Sequence, residues 1–375
     1  AKRENGEGSI SWDKARNKYR AAFIDPNKKR IYKRFDTREE AKKWLNEIKS
    51  NLFRNEYVSP SNITLGEWII EWLQTFKKDI RPMTKVNYMV AIKHLKPIEN
   101  LLLQDLTPFT IQKFLNTLNN TISKRIYFFL NAAFKHMIGK NPMDAIEIPR
   151  SQKKEIKIFT KEELKKIFEY LKADTTPTHY KEKYLLILLA ATTGVRIGEL
   201  LSLKWENINL TLGTIKITST IQYIAKIGFV ENPPKTNAGK RIITLPPHVI
   251  SELKKYKQVD ENNLVYLYGS GYVFHTQNGT PYCATNIIRK YWKPILFNAG
   301  VPYRNFHALR HTHATQLLAD GIPILEVSKR LGHSRASNTL NLYGHAIPNL
   351  DKDIANKITN LGTWHKMDTI IKIKT

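Results

Sequence analysis

The sequence predicts a multidomain α+β chain. A small β-sheet with one helix comes first, then a helical domain, then a larger, mainly helical domain with a small β-sheet of its own. Three observations predict it. At 375 residues the chain is long for one domain and suits two or three. Near the start, Tyr19, Ala21 and Phe23 alternate with Lys18, Arg20 and Ala22, the period of a half-buried strand, whereas from Ala41 onward apolar residues recur at helical spacing. Helix-start signals of one kind, a Thr with a Glu three residues later, stand at Thr37 with Glu40, Thr64 with Glu67 and Thr160 with Glu163.

The first segment, 1–58, reads as three strands and a helix. An early strand lies at 9–12, and the turn residues Asp25, Pro26, Asn27 and Lys28 send the next strand back through 31–35. After the Thr37 cap, Ala41, Trp44, Leu45 and Ile48 form one apolar stripe that faces the sheet. The other sheet face is basic: residues 14–34 hold nine Lys/Arg and one acid, Asp25. A β-ribbon fits a DNA major groove, where Lys and Arg reach guanine edges and phosphates. Lys14, Arg16, Lys18, Arg20, Lys28, Lys33 and Arg34 are the candidates for such contacts. A solvated sheet kept soluble by its charge is the alternative.

Residues 55–61 read as a linker, and 62–148 as four helices. Trp68, Ile69, Trp72, Leu73 and Phe76 are the expected buried face of the first, and Val86, Met89 and Ile92 that of the second, which starts at Pro82. Thr107 before Pro108 is an N-cap with Pro at the first helical position, and a last helix covers about 122–137. Lys85, Lys93, Lys124 and Arg125 are candidate phosphate contacts or ordinary helix charges. Residues 148–158 form a short basic connector.

The third segment is 155–375. The apolar run 184–192 predicts a buried helix that ends at Gly194, with a new helix starting near Val195. Arg196 then stands at a helix N-terminus, where backbone N–H groups favour an anion. Glu199, one turn on, can orient a neighbouring catalytic side chain or buttress the fold, an i to i+3 surface ion pair with Arg196 being the plainer alternative. Strands are expected over 214–221 and 241–245, with Lys235 at the turn between them and Lys240 as a rival ammonium.

The densest chemistry lies between residues 307 and 343: imidazoles at His307 and His333, a guanidinium at Arg310 and a phenol at Tyr343. This set suits covalent chemistry on a phosphodiester. Arg forks two phosphate oxygens, His moves protons, and Tyr attacks phosphorus to make an ester. A metal reading is disfavoured: the nearby His311, His313 and His345 have no acid or Cys at ligand spacing.

Bulk composition agrees with a polyanionic partner. Sixty Lys+Arg against 33 Asp+Glu give a formal net charge of +27, which drives counterion release on nucleic acid. No apolar run of about 18 residues suggests a membrane span, and no signal peptide pattern opens the chain. Cys283 is the one cysteine, so neither an internal disulfide nor a Cys-rich zinc site is expected, and an intracellular protein is the natural inference.

The TG-x-R-x-x-E stretch from Thr193 to Glu199, the K-T-x-x-x-x-R context of Lys235, the H-x-x-R-H box at His307, the LGH box at Leu331 and Tyr343 ten residues on together resemble the tyrosine recombinases, the phage and transposon integrase family. The resemblance spans all three segments and is specific in the third. It implies an arm-type DNA-binding domain, a helical core-binding domain and a catalytic domain of the tyrosine recombinase fold. It implies catalytic roles for Arg196, Lys235, His307, Arg310, His333 and Tyr343, a supporting role for Glu199, and no cofactor. The expected partners are double-stranded DNA at core-type and arm-type sites and a homotetramer on that DNA, with excisionase and host DNA-bending proteins as helpers. The expected location is the cytoplasm of a bacterial host, at the nucleoid. The tail after Tyr343, apolar at Ile354, Ile358 and Leu361, would dock on a neighbouring protomer. The alternatives are a type IB-like topoisomerase, a metal nuclease, and a non-catalytic DNA-binding regulator of the same fold, which would be expected to have lost some of the six residues, whereas all six are present here.

Overall fold

The computed structural model describes residues 8–25, 28–53, 62–137, 141–148, 156–173, 180–261 and 271–343. The linker over 55–61, most of the basic connector, His345 and the tail after Tyr343 lie outside the described residues. Two compact units divide the chain, 1–153 and 154–375.

The first unit opens with an antiparallel sheet of β1 (Ser9–Asp13), β2 (Lys18–Ile24) and β3 (Arg30–Phe35), in that order. Helix α1 (Arg38–Phe53) follows. It starts as expected: Glu40 N–H donates to Thr37 Oγ1 and Thr37 N–H to the Glu40 carboxylate. Ala21 and Phe23 of β2 bury against Ala41, Leu45 and Ile48 of α1. Burying such side chains contributes about 1.5–3 kcal/mol for each large one, the main stabilising term of so small a sheet.

A separate apolar cluster holds α2 (Leu65–Phe76), α3 (Pro82–Leu95), α4 (Pro108–Asn116) and α5 (Asn120–Phe134) together. Thr64 and Glu67 cap α2 reciprocally, and Thr107 Oγ1 accepts from Thr110 N–H ahead of α4. Two expected core positions turn outward. Met89 is 50% exposed, since α3 buries Ala91 and Leu95 instead. Phe76 is 47% exposed because the last turn of α2 passes the core edge, where its ring stacks on His136 at 4.2 Å.

In the second unit, α6 (Lys161–Ala173) begins at the reciprocal Thr160 and Glu163 bonds. The apolar run becomes α7 (Tyr180–Thr193), whose Leu185 to Ala190 stretch sits inside the largest core. The short helix α8 (Ile197–Leu201) comes next. The strand expectation needs correction. β5 (Thr214–Ile217) lies between β4 (Ile208–Asn209) and β8 (Arg241–Thr244), while a separate hairpin, β6 (Thr220–Ile224) and β7 (Gly228–Asn232), is inserted between them. Lys235 therefore follows β7 on the loop to β8 rather than marking a hairpin tip; Lys226, at φ 67°, occupies the β6–β7 turn. After α9 (Pro247–Glu261) come α10 (Ala284–Ile287), a π turn over Ile288–Trp292 and α11 (Lys293–Asn298). The chemistry-bearing stretch forms α12 (Ala308–Ala319), α13 (Ile324–Leu331) and α14 (Ala336–Tyr343).

Candidate active site

α7 ends at a left-handed glycine. Gly194 has φ 65°, and a Cβ there would come within 2.8 Å of His313 Cδ2 and 2.9 Å of Leu331 Cδ2. The tight turn places Arg196 as the N-cap residue of α8. With only one turn of helix behind it, charge here comes mainly from guanidiniums. The Arg196 side chain is 41% exposed, and its Nη1 donates to Glu199 Oε1 at 2.8 Å.

Glu199 lies between two guanidiniums. Besides the i to i+3 pair with Arg196, its Oε2 accepts from Arg241 Nη2 at 2.8 Å, and that pair is almost wholly buried. Burial alone would raise the carboxyl, but Arg241 and Arg196 outweigh it and hold Glu199 below the usual carboxylate range. Arg241 also donates from Nε to the Arg330 carbonyl and from Nη1 to the Gly239 carbonyl. The α8 turn, the loop that carries Lys235 and the end of α13 are thus tied by one guanidinium.

Arg310 makes the second tie. Its guanidinium is 2% exposed on the residue scale, with Nη1 donating to the Gly194 carbonyl and Nη2 to the Leu331 carbonyl, both at 2.8 Å. One carbonyl lies two residues before Arg196 and the other two before His333. Burial, then the charge of Arg196, push its pKa down to about 9, so it stays cationic at neutral pH. The bond to the Gly194 carbonyl brings the Arg310 guanidinium to the turn that carries Arg196.

His307 stands at the N-cap position of α12 without a side-chain capping bond. Its ring meets His311 edge to face, with centroids 4.7 Å apart. His333 follows Gly332, which ends α13 at φ 69°, and its Nδ1 pairs with Thr339 Oγ1 at 2.7 Å. Burial pushes both imidazoles to about 4, with His311 and Arg310 adding to the effect at His307, and Arg310 and Arg196 at His333. Both are neutral at pH 7. Tyr343, 1% exposed, packs on Ala314, Leu318, Val327 and Leu331. Its hydroxyl lies 2.6 Å from His311 Nδ1. Burial raises the phenol, and Arg310 and Arg196 pull it back in part. His307, Arg310, His333 and Tyr343 thus all lie within reach of the Arg196 charge.

Lys235 and Lys240 are exposed, the first on the open loop and the second just before β8. On the N-terminal sheet, Arg20 and Arg34 are cross-strand partners facing away from α1, and both lie over the Tyr32 ring, at 4.5 Å and 5.3 Å. Arg34 also bonds Asp13, and Lys18 pairs with Asp36. Lys14 and Arg16 are exposed on the β1–β2 turn, and Lys28 on the next. Lys33 differs from the expectation: its register with Ala21 puts it on the strand face shared with Ile31 and Phe35. Lys85, Lys93 and Arg125 are exposed on α3 and α5, and Lys124 is half-buried.

Sequence reasoning missed His311, Arg241 and Thr339. His311 stood in the quoted H-x-x-R-H box and Arg241 in the K-T-x-x-x-x-R context, so both were visible as letters. Their partners lie 32 and 42 residues away, and no local signal reports that.

The model of the phage integrase family matches residues 157–349, and that of the phage integrase N-terminal SAM-like domain matches residues 64–119. A tyrosine recombinase XerC-like protein of Caldanaerobacter subterraneus subsp. tengcongensis is 33% identical over 361 residues, covering 86% of this chain and 90% of that protein. The Tn1549 transposon integrase, solved with a circular intermediate DNA, superposes with a TM-score of 0.68 at 19% identity, over 80% of this chain and 100% of that one. A lambda integrase tetramer bound to a Holliday junction gives 0.54 at 21% identity, over 90% and 96%. At such identities the two structural likenesses speak for the fold alone.

Proposed function

Since the chain belongs to the phage integrase family, the tyrosine recombinases, and is thereby a DNA strand-transferring enzyme, we propose how its own residues carry out site-specific recombination. Tyr343 Oη attacks a scissile phosphate, the P–O5′ bond breaks, and a 3′-phosphotyrosyl link and a 5′-hydroxyl result. The hydroxyl of a partner strand then attacks that link, so bond energy is kept without an external energy source. Arg196 and Arg310 grip the non-bridging oxygens, whose charge grows as phosphorus becomes five-coordinate. Neutral His307 and His333 donate hydrogen bonds to the same oxygens. Lys235 or Lys240 protonates the leaving 5′-oxygen, and Glu199 holds Arg196 in place. Pre-placed donors of this kind stabilise the transition state more than the ground state.

The observation that carries this reading is the Arg310 guanidinium bonded at once to the carbonyls of Gly194 and Leu331. That double tie brings the Arg196 turn and the His333 turn to the helix that contacts Tyr343.

The finer parts of the reading have the same origin. The segments 1–58, 62–148 and 155–375 act as arm-binding, core-binding and catalytic modules. Double-stranded DNA with core-type and arm-type sites is the substrate, and four protomers exchange strands through a Holliday junction. The lambda integrase tetramer on such a junction supports this by likeness of fold. Excisionase and host DNA-bending proteins are the proposed helpers, and a bacterial cytoplasm the place of action. Among the described residues no helix is long and apolar enough to cross a membrane.

The test is covalent trapping. Tyr343→Phe should bind core-site DNA as the wild type does and form no protein–DNA adduct on a nicked suicide substrate. An adduct that persists in this variant removes Tyr343 as the nucleophile.

A further inference from the structure

A phenol carries a proton that must leave as its oxygen bonds to phosphorus, and with an ordinary pKa of about 10 it needs help to lose it at neutral pH. The structure holds one imidazole against that oxygen. His311 Nδ1 and Tyr343 Oη are 2.6 Å apart, with ring centroids at 5.5 Å and planes at 55°. His333 offers its Nδ1 to Thr339 Oγ1 instead, and His307 meets the His311 ring edge to face. His311 directly follows Arg310 on α12, so the backbone that fixes the phosphate-gripping guanidinium also fixes the imidazole.

We infer that His311 is the general base of the cleavage step, taking the Tyr343 proton as the phenol attacks and returning it when the phosphotyrosyl link is broken. The inference rests on the reading of Tyr343 as nucleophile. In cleavage the Oη–P bond forms, the P–O5′ bond breaks, and the phenolic proton moves to His311 Nδ1. The proton on the 5′-hydroxyl comes from a separate donor, Lys235 or Lys240. In ligation the O5′–P bond forms as the incoming 5′-hydroxyl returns its proton to that same amine, the Oη–P bond breaks, and the Tyr343 oxygen recovers its proton from His311. No co-reactant is required.

The surroundings suit a base. Charged and titratable neighbours are Arg310 on the same helix, His307 at its start, His333 after α13 and Tyr343 on α14. Burial, then Arg310, hold the imidazole below its usual range, which leaves it neutral and able to accept at pH 7. The proton that arrives on it would be unfavourably placed beside Arg310, which favours its prompt return in ligation.

The experiment is single-turnover cleavage of a suicide substrate by full-length His311→Ala and His311→Asn, beside the wild type and Tyr343→Phe, with DNA binding and thermal melting measured on each. General-base loss typically costs on the order of 10²–10⁴ in rate, and both His311 variants should show it while still binding DNA. Asn keeps a side chain able to accept a hydrogen bond but cannot carry the proton away, so it separates chemistry from positioning. The wild-type rate should level off with rising pH, while the His311→Asn rate should go on climbing toward the phenol's own pKa. A substrate with sulfur in place of the bridging 5′-oxygen leaves without a proton, so it should rescue Lys235→Ala or Lys240→Ala and leave both His311 variants slow. His311→Asn cleaving within about fivefold of wild type, well inside the usual effect of losing a base, would reduce His311 to a positioning residue and overturn the inference. Rescue of the His311 variants by sulfur would move it to the leaving-group side, with the same consequence. An adduct that persists in Tyr343→Phe would instead overturn the nucleophile itself, so the two failures are distinguishable.

Discussion

The Arg310 Nη1 donates to the Gly194 carbonyl at 2.8 Å, which makes the proposed phosphate ligand a structural clamp as well. A buried carbonyl left without its donor costs about 1–3 kcal/mol, and Arg310 serves two. Arg310→Ala should therefore lower unfolding free energy by about 2–6 kcal/mol by the same principle, and slow cleavage too. Arg196 is different, being 41% exposed with its anchor Glu199 also held by Arg241. Arg196→Ala should change stability by about 1 kcal/mol or less, as for an exposed ion pair, yet slow cleavage about 10²–10³-fold. Urea unfolding and single-turnover cleavage on both variants check this. Equal stability losses would mean that the two arginines do not divide clamp from ligand.

Glu199 is a carboxylate between two guanidiniums, buried with Arg241. Removing it leaves Arg241 uncompensated in the interior, and breaking a buried pair from one side typically costs about 3–5 kcal/mol. Glu199→Gln keeps the shape and loses the charge. It should melt well below wild type, and adding Arg241→Met should recover part of the loss, since the stranded charge goes with it. A double-mutant cycle in denaturant measures the coupling. Additive losses would show that the two side chains do not sense each other.

How much of this was readable depends on sequence distance. The Thr37, Thr64 and Thr160 caps were legible because both partners sit within one turn. The apolar run of α7 was legible because a helix hydrophobic all round has nowhere to go but the core. The β5–β8 pairing joins Thr214 to Thr244 across the inserted β6–β7 hairpin, and no short-range pattern separates one long hairpin from two nested ones. Met89 matched the helical spacing and still faces outward, because spacing gives a stripe but not its exact angle. The individual site residues were legible as letters in boxes. What the letters do to one another, Arg310 on the Gly194 carbonyl or His311 on Tyr343, needs the crossing of α12 with α13 and α14.

Acid should unfold the protein early. His307, His313 and His333 titrate near 4 in the fold, lowered chiefly by burial, against about 6.5 in an unfolded chain. A lowered folded pKa means that the unfolded state binds more protons between those values. Stability is then fully present above about pH 6.5 and falls as pH drops toward 4. Glu199, also held low, adds to the loss at the acid end of that range. His313 gives the cleanest probe, since it accepts from Arg330 Nε at 3.2 Å and does not touch Tyr343 in the way His311 does. Melting temperature against pH should be steeper in wild type than in His313→Gln between pH 6.5 and 4. Parallel curves would show that His313 is not one of the titrating groups.

On the N-terminal sheet, Arg20 and Arg34 share one face and one aromatic ring, but not one charge state of surroundings. Arg34 Nε donates to Asp13 Oδ2 at 2.8 Å, and that hydrogen bond holds the Asp13 carboxyl below its usual range. Arg20 lies over Tyr32 at 4.5 Å, which steadies the guanidinium without cancelling its charge. If this face binds DNA, Arg20 is the stronger contact. Arg20→Ala should weaken binding more than Arg34→Ala and reduce the slope of log affinity against log salt by about 0.9, the value for one phosphate contact. Asp13→Asn should tighten binding and steepen the slope, because it uncovers the Arg34 charge. Fluorescence anisotropy with labelled duplex over a range of salt reads all three. Identical slopes for the three variants and wild type would place the DNA on some other surface, for the charge on this face could not then be neutralising phosphate.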